Sequence, residues 1–189
     1  QQKTGLKKDL GIVLNNVGHV NYRSGNFDIA LTFFYQALEA NIQDGDERGI
    51  AASKVNIGTV YRSMGEAKRA LEYHLESLSV IQKFNDKFGE VNTLRSIAQD
   101  YLELKQVDKA TSFAIKSLKL AQEMGSLSEE KNTAGLLAEI YSIVGNFKES
   151  AKYYKIESRL KDSIFSIEKV EYLGRMQAAF EIENKAKEN

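Results

Sequence analysis

Along most of the chain apolar residues recur at spacings of three and four, as in Val13, Val17 and Val20 and then Ile29, Phe33 and Ala37. That is the period of a helix which buries one face. Displacing the sequence against itself by 40 residues brings similar residues into register four times, the mark of a repeat architecture. In a first block Val17, Ile57, Ile97 and Leu137 align, each followed by Gly18, Gly58, Ala98 or Ala138, and then by Asn21, Tyr61, Tyr101 and Tyr141. A second block aligns Ala30, Ala70, Ala110 and Ser150, then Phe33, Tyr73, Phe113 and Tyr153, then Ala37, Ser77, Ser117 and Glu157. The pattern predicts an all-α array of four helical hairpins over residues 1–162, with units at about 6–45, 46–85, 86–125 and 126–162, and a C-terminal helix over 163–189.

The punctuation supports the same units. Gly25, Gly65 and Gly145 stand between the two blocks and supply the left-handed conformation that ends a helix and turns the chain. In the third unit Lys105 or Gln106 must do so, at greater strain. Asp46, Asp86 and Ser126 fall in register as N-caps, with capping-box spacing from Ser126 to Glu129, so helices are expected to start near 47, 87 and 127. Small residues such as Gly58 and Ala70 mark where the two helices of a hairpin approach closely.

These residues resemble the tetratricopeptide repeat (TPR) family, whose pattern of Leu-Gly, Tyr, then Ala, aromatic and Ala is met in the second unit by Ile57-Gly58, Tyr61, Ala70 and Ser77. The resemblance covers about residues 6–160 and implies a right-handed superhelical array. The period departs from the family's usual ~34 residues. Ile42, Gln82, Gln122 and Asp162 stand where a proline is usual, and Leu14, Lys54, Leu94 and Ala134 where an early Trp is. In these respects the chain is similar to the long-helix subclass found in bacterial peptide-responsive regulators, TPR-bearing sensor proteins and animal spindle-orientation adaptors. The run Leu160-Lys161-Asp162-Ser163-Ile164-Phe165, leading to Phe180-Glu181-Ile182, resembles the segment that joins a TPR array to a membrane helix or coiled coil in bacterial sensor histidine kinases, diguanylate cyclases and TPR-containing transcriptional regulators.

The resemblance implies a non-catalytic module that binds a protein or peptide, as the sensory region of a bacterial signalling protein; the alternative is a free-standing intracellular adaptor. The family turns certain positions of the first helices to a concave groove. Here these are Asn15, Asn16, His19, Asn56, Thr59, Arg62, Asn92, Arg95, Gln99 and Asn132, rich in planar groups that can bond a peptide backbone or carboxylate. Tyr22 and Tyr35 depart from the repeat pattern and are further groove candidates. Only Asn56 fits the chaperone-type clamp, which argues against an acidic chaperone tail as partner. Resemblance to sensors further implies a homodimer through 163–189 and favours the periplasm over the cytoplasm. The residues themselves show there an apolar stripe of Ile164, Ile167, Val170, Leu173, Met176 and Phe180, expected to cap the last hairpin.

Composition removes several other classes. Of 189 residues, 26 are Lys or Arg and 26 Asp or Glu, so the chain lacks the basic excess of a nucleic-acid binder. The absence of cysteine excludes disulfides and thiolate chemistry but leaves the compartment open. The absence of proline suits uninterrupted helices. No segment reaches the ~20 apolar residues of a membrane span, so no direct membrane contact is expected. Since the chain opens on Gln1 rather than Met, it is expected to lie inside a longer gene product.

His19 and His74 lack a second histidine at helical spacing, Asp44-Gly45-Asp46-Glu47 lacks the alternating ligands of a calcium loop, and Gly58 to Gly65 has no Gly-Lys-Ser/Thr ending. No metal, cofactor or catalytic residue is expected. His74 stands at an aromatic position and is expected to pack in the core.

Overall fold

The computed structural model describes the backbone of residues 2–188 and the side chains of residues 10–179 and 182. Eight helices follow one another among the described residues: α1 (Gln2–Arg23), α2 (Phe27–Asp44), α3 (Glu47–Ser63), α4 (Ala67–Lys83), α5 (Lys87–Glu103), α6 (Val107–Glu123), α7 (Leu127–Ile143) and α8 (Phe147–Glu188). They pair as four hairpins, and the chain divides into two compact units, Gln1–Met124 and Gly125–Asn189. In the first unit α1/α2, α3/α4 and α5/α6 form hairpins, with α2 packed on α3 and α4 on α5. In the second, α7 packs on α8.

The turns follow the repeat. Gly25, Gly65 and Gly145 have φ of 78°, 80° and 76°, and Lys105 adopts the same left-handed conformation at φ 59°. At each of these turns an amide just past the glycine or lysine donates back to the repeat column at 21, 61, 101 and 141: Asn26 to Asn21 (3.0 Å), Glu66 to Tyr61 (2.9 Å), Gln106 to Tyr101 (2.8 Å) and Asn146 to Tyr141 (2.9 Å). These bonds occupy carbonyls that the helix end would otherwise leave unpaired. Helices α3, α5 and α7 begin at 47, 87 and 127 as expected. Asp46 and Asp86 accept from the amides of Gly49 (3.1 Å) and Gly89 (3.0 Å). Ser126 occupies the N-cap position but makes no side-chain capping bond.

Packing within each hairpin depends on matched sizes. A methyl group on Gly58 would stand 2.7 Å from His74 Nε2 and 3.1 Å from the Ala70 carbonyl, and one on Gly18 would stand 2.5 Å from the Phe34 ring. The third unit carries Ala98 at this position and Ala114 in place of Phe34 or His74, so the small partner leaves space for the extra carbon. Ala30, Ala70 and Ala110 are fully buried, as are Ile57 and Ile97. Burying one such isoleucine stabilises the fold by about 1.5–3 kcal/mol.

Val13, Val17 and Val20 form the predicted apolar face of α1 and are 54%, 36% and 65% exposed among the described residues. Helix α8 runs as one helix of 42 residues, about 63 Å long. Its partner α7 has 17 residues, about 25 Å, so α8 outruns it. Ile167, Val170, Leu173 and Met176 are consequently 49–70% exposed and do not cap the hairpin. Phe180 lies outside the described side chains.

Candidate functional site

Three first helices, α1, α3 and α5, bring their polar positions to one cleft of about 370 Å³ in the first unit. From α1 come Ile12, Asn15, Asn16 and His19; from α3, Arg48, Ala51, Ala52, Val55 and Asn56; from α5, Phe88, Gly89, Asn92 and Thr93. Val80, Ile81, Phe84 and Asp86 close the cleft at the end of α4 and the turn that follows it. The 40-residue register explains the convergence: Ile12, Ala52 and Asn92 are equivalent, as are Asn16 and Asn56, so equivalent faces of successive hairpins line up.

Five of the ten groove candidates, Asn15, Asn16, His19, Asn56 and Asn92, therefore meet in this cleft. Asn16 is exposed. Asn15 and Asn56 are joined, Asn56 Nδ2 donating to Asn15 Oδ1 at 3.0 Å, while Asn15 Nδ2 donates to Ser53 at 3.1 Å. Ser53 also accepts from the buried Asn41 at 3.1 Å, which roots the cleft wall in the packing between α2 and α3. Asn92 Nδ2 donates to the Phe88 carbonyl (3.1 Å), and its oxygen accepts from Arg95 (2.5 Å). The His19 ring meets Phe34 edge-on at 5.3 Å, and burial lowers its pKa below the usual 6.5.

The other candidates lie elsewhere. Thr59 donates to the Val55 carbonyl of its own helix at 2.9 Å. Arg62 turns to the fully buried Asp100, at 3.2 Å, and donates to the Ser96 carbonyl. Arg95 and Gln99 do not line the cleft, and Asn132 is exposed on α7 of the second unit. Neither tyrosine candidate lines it either: Tyr22 bonds Ser63 at 3.0 Å, and Tyr35 bonds both Tyr61 and Tyr73 at 2.9 Å. Burial, together with these bonds, pushes the Tyr35 phenol pKa well upward.

The apolar part of the site escaped sequence reasoning. Ile12 and Phe88 are 59% and 58% exposed, and the Arg48 guanidinium lies 4.7 Å over the Phe84 ring. A signal existed in the register: Phe84 and Phe88 occupy places held by Asp44 and Arg48 one repeat earlier.

Beneath the cleft lies a buried polar group of a different kind. His74 and Asp100 are both fully buried, and His74 Nδ1 donates to Asp100 Oδ2 at 2.5 Å. The other ring nitrogen faces the Val55 carbonyl at 3.3 Å. Asp100 takes a position that is Val60 in the previous unit, and His74 one that is Phe34. Phe34 and Val60 pack together in an apolar cluster, so the two polar departures from the repeat are each other's partners. Burial raises the pKa of the nearby Glu103 carboxyl, against the opposing pull of Arg62.

Among the described residues no group of three or more His, Cys, Asp or Glu side chains is placed to hold a metal ion, and no helix is long and apolar enough to cross a membrane.

Hairpins of this size, stacked in register with small residues at the crossing and a glycine in the turn, define a helical-repeat protein. The tetratricopeptide repeat family matches residues 9–83 and again 49–123, and the chain belongs to that family. Its fold is similar to that of BtubC from P. vanneervenii, with a TM-score of 0.75 at 19% identity over 84% of this chain and 65% of that one. Aspartyl phosphate phosphatase F from Bacillus subtilis is similar at TM-score 0.76 and 12% identity, over 82% of this chain and 40% of the other. The Rap conjugation gene regulator of plasmid pLS20, solved in complex with the Phr* peptide, is similar at TM-score 0.70 and 13% identity, over 77% and 41%. This chain thus spans less than two thirds of each of these three proteins. No curated protein matches the sequence.

Proposed function

We propose that the chain is a non-catalytic protein- or peptide-binding module, which recognises its partner in the cleft formed by α1, α3 and α5. The observation that carries this reading is the convergence of Asn15, Asn16, His19, Asn56 and Asn92, from three helices, beside the exposed apolar side chains of Ile12 and Phe88. Amides beside apolar surface suit an extended peptide, whose backbone needs donors and acceptors while its side chains need apolar contact. A peptide-bound relative of the same fold supports the same reading. Such a module serves as the sensory region of a bacterial signal-transduction protein, with α8 leading towards an output domain. The exposed stripe from Ile167 to Met176 supports homodimer formation through α8.

Panning a displayed peptide library against the chain tests the cleft. Binders selected on the native protein should lose affinity at least about tenfold when Ala52, an exposed small residue of the cleft wall, is changed to Glu. Peptides that bind the Ala52→Glu protein equally well would place recognition elsewhere. For the dimer, light scattering should show two copies for the native chain and one for Ile167→Lys/Leu173→Lys. A native monomer refutes that part.

A further inference from the structure

Three tyrosine hydroxyls meet where α2 lies beside the second hairpin. Tyr35 of α2 shares hydrogen bonds of 2.9 Å with the hydroxyls of both Tyr61 on α3 and Tyr73 on α4. The Tyr61 and Tyr73 rings stack with their centroids 5.8 Å apart, and the Arg69 guanidinium lies 5.3 Å over Tyr61. Tyr35 is 38% exposed, so the cluster opens to solvent. None of the three lines the cleft of α1, α3 and α5. The repeat does not demand the arrangement: Tyr101 and Tyr141 repeat Tyr61, but Leu75 and Ile115 stand in the place of Tyr35. Among the described residues no other tyrosine hydroxyl bonds to a second tyrosine.

A phenol that loses one electron also loses its hydroxyl proton, and the phenoxyl radical left behind carries spin on the carbons ortho to its oxygen. Two such radicals couple through those carbons. Each ortho carbon is bonded to the carbon that bears the hydroxyl, so a meeting of hydroxyls also gathers ortho carbons of separate rings. The chain contains neither cysteine nor tryptophan, the side chains that would otherwise take up an oxidising equivalent, so tyrosine is where it settles. Burial and the two hydrogen bonds keep the Tyr35 phenol protonated. Its electron therefore leaves together with its proton, which the bonded hydroxyls relay towards water. We propose that this cluster is an oxidative modification site, at which a one-electron oxidant, a peroxidase acting with hydrogen peroxide, joins Tyr35 to Tyr61 or Tyr73. Two phenols give up two electrons and two protons, two ortho C–H bonds are replaced by one C–C bond, and both hydroxyls are restored. One hydrogen peroxide takes up the electrons and protons and becomes two waters. The new bond ties the first hairpin to the second, across the joint where α2 packs on α3. Tyr141 and Tyr153, stacked at 5.6 Å within the fourth hairpin but without a third phenol bonded to them, provide an internal comparison.

The test treats the chain with a peroxidase and hydrogen peroxide, isolates the monomer on a denaturing gel, reads dityrosine fluorescence, and maps the tryptic peptides by mass spectrometry. The absence of tryptophan leaves that fluorescence free of indole background. The monomer should lose two hydrogen atoms, with the peptide that holds Tyr35 joined to the one that holds Tyr61 or Tyr73, in a yield independent of protein concentration. Tyr35→Phe keeps the ring and removes the phenol. It should lower the intramolecular yield at least about tenfold, because the pre-positioned reactant is gone, while the circular dichroism stays unchanged. Tyr154→Phe removes a phenol that is 50% exposed outside the cluster and should leave the yield as it is. An unchanged intramolecular yield in Tyr35→Phe would overturn the proposal. So would links confined to Tyr141 with Tyr153 or to Tyr61 with Tyr73, or products formed only between molecules.

Discussion

The buried pair of His74 and Asp100 permits a quantitative test of how the second and third hairpins are joined. Both side chains are fully buried, and Asp100 accepts from His74 through one oxygen and from Arg62, at 3.2 Å, through the other. Changing His74 to Phe leaves one carboxylate oxygen in the interior without its donor, although the ring itself fits, because Gly58 faces it as Gly18 faces Phe34. Leaving a buried acceptor without one of its donors costs about 1–3 kcal/mol. Asp100→Val leaves His74 Nδ1 against a methyl group, a loss of similar origin; the Arg62 side chain, 16% exposed, keeps the Ser96 carbonyl at 3.3 Å. The double variant His74→Phe/Asp100→Val recreates the apolar pairing of Phe34 with Val60. It should fall within about 1 kcal/mol of the native chain or exceed it, as replacing both partners of a buried hydrogen bond by apolar groups of similar shape can do. The coupling between the two changes should then be at least about 1 kcal/mol. Urea unfolding of the four proteins, followed by far-UV circular dichroism, measures it. A double variant as destabilised as the sum of the singles, to within about 0.5 kcal/mol, would refute the claim that the two residues are partners.

Three further outcomes are expected. Lys105→Gly should raise stability by about 0.5–1 kcal/mol, read as a higher urea midpoint, because Lys105 holds at φ 59° a conformation that the other hairpin turns give to glycine. Ala70→Leu should lower stability by about 1–3 kcal/mol in the same assay, since Ala70 is fully buried where α4 crosses Gly58. His19, whose pKa burial lowers, binds a proton more readily in the unfolded chain, so its contribution is present above pH ~6.5 and lost as pH falls through the folded value. The fall in thermal midpoint on acidification through that window should accordingly be smaller in His19→Asn than in the native protein.

The sequence by itself determined the repeat. A 40-residue period, small residues at 18, 58, 98 and 138, and turn signals near 25, 65, 105 and 145 specify local helix, crossing and turn, because each depends on neighbours at short or fixed separation. The family resemblance suggested groove positions, and the structure brings Asn15, Asn16, His19, Asn56 and Asn92 among them to one cleft. What the sequence could not supply was the choice of partner for each side chain. Arg62 and Asn56 read alike as groove donors, yet the fold brings buried Asp100 within reach of Arg62 and leaves Asn56 in the cleft. Burial was undetermined for the same reason: the stripe of Val13, Val17 and Val20 has the pattern of its buried equivalents, and the stripe after Ile164 has the pattern of a cap. Periodicity marks a face as apolar, but only the tertiary structure decides whether another helix lies over it.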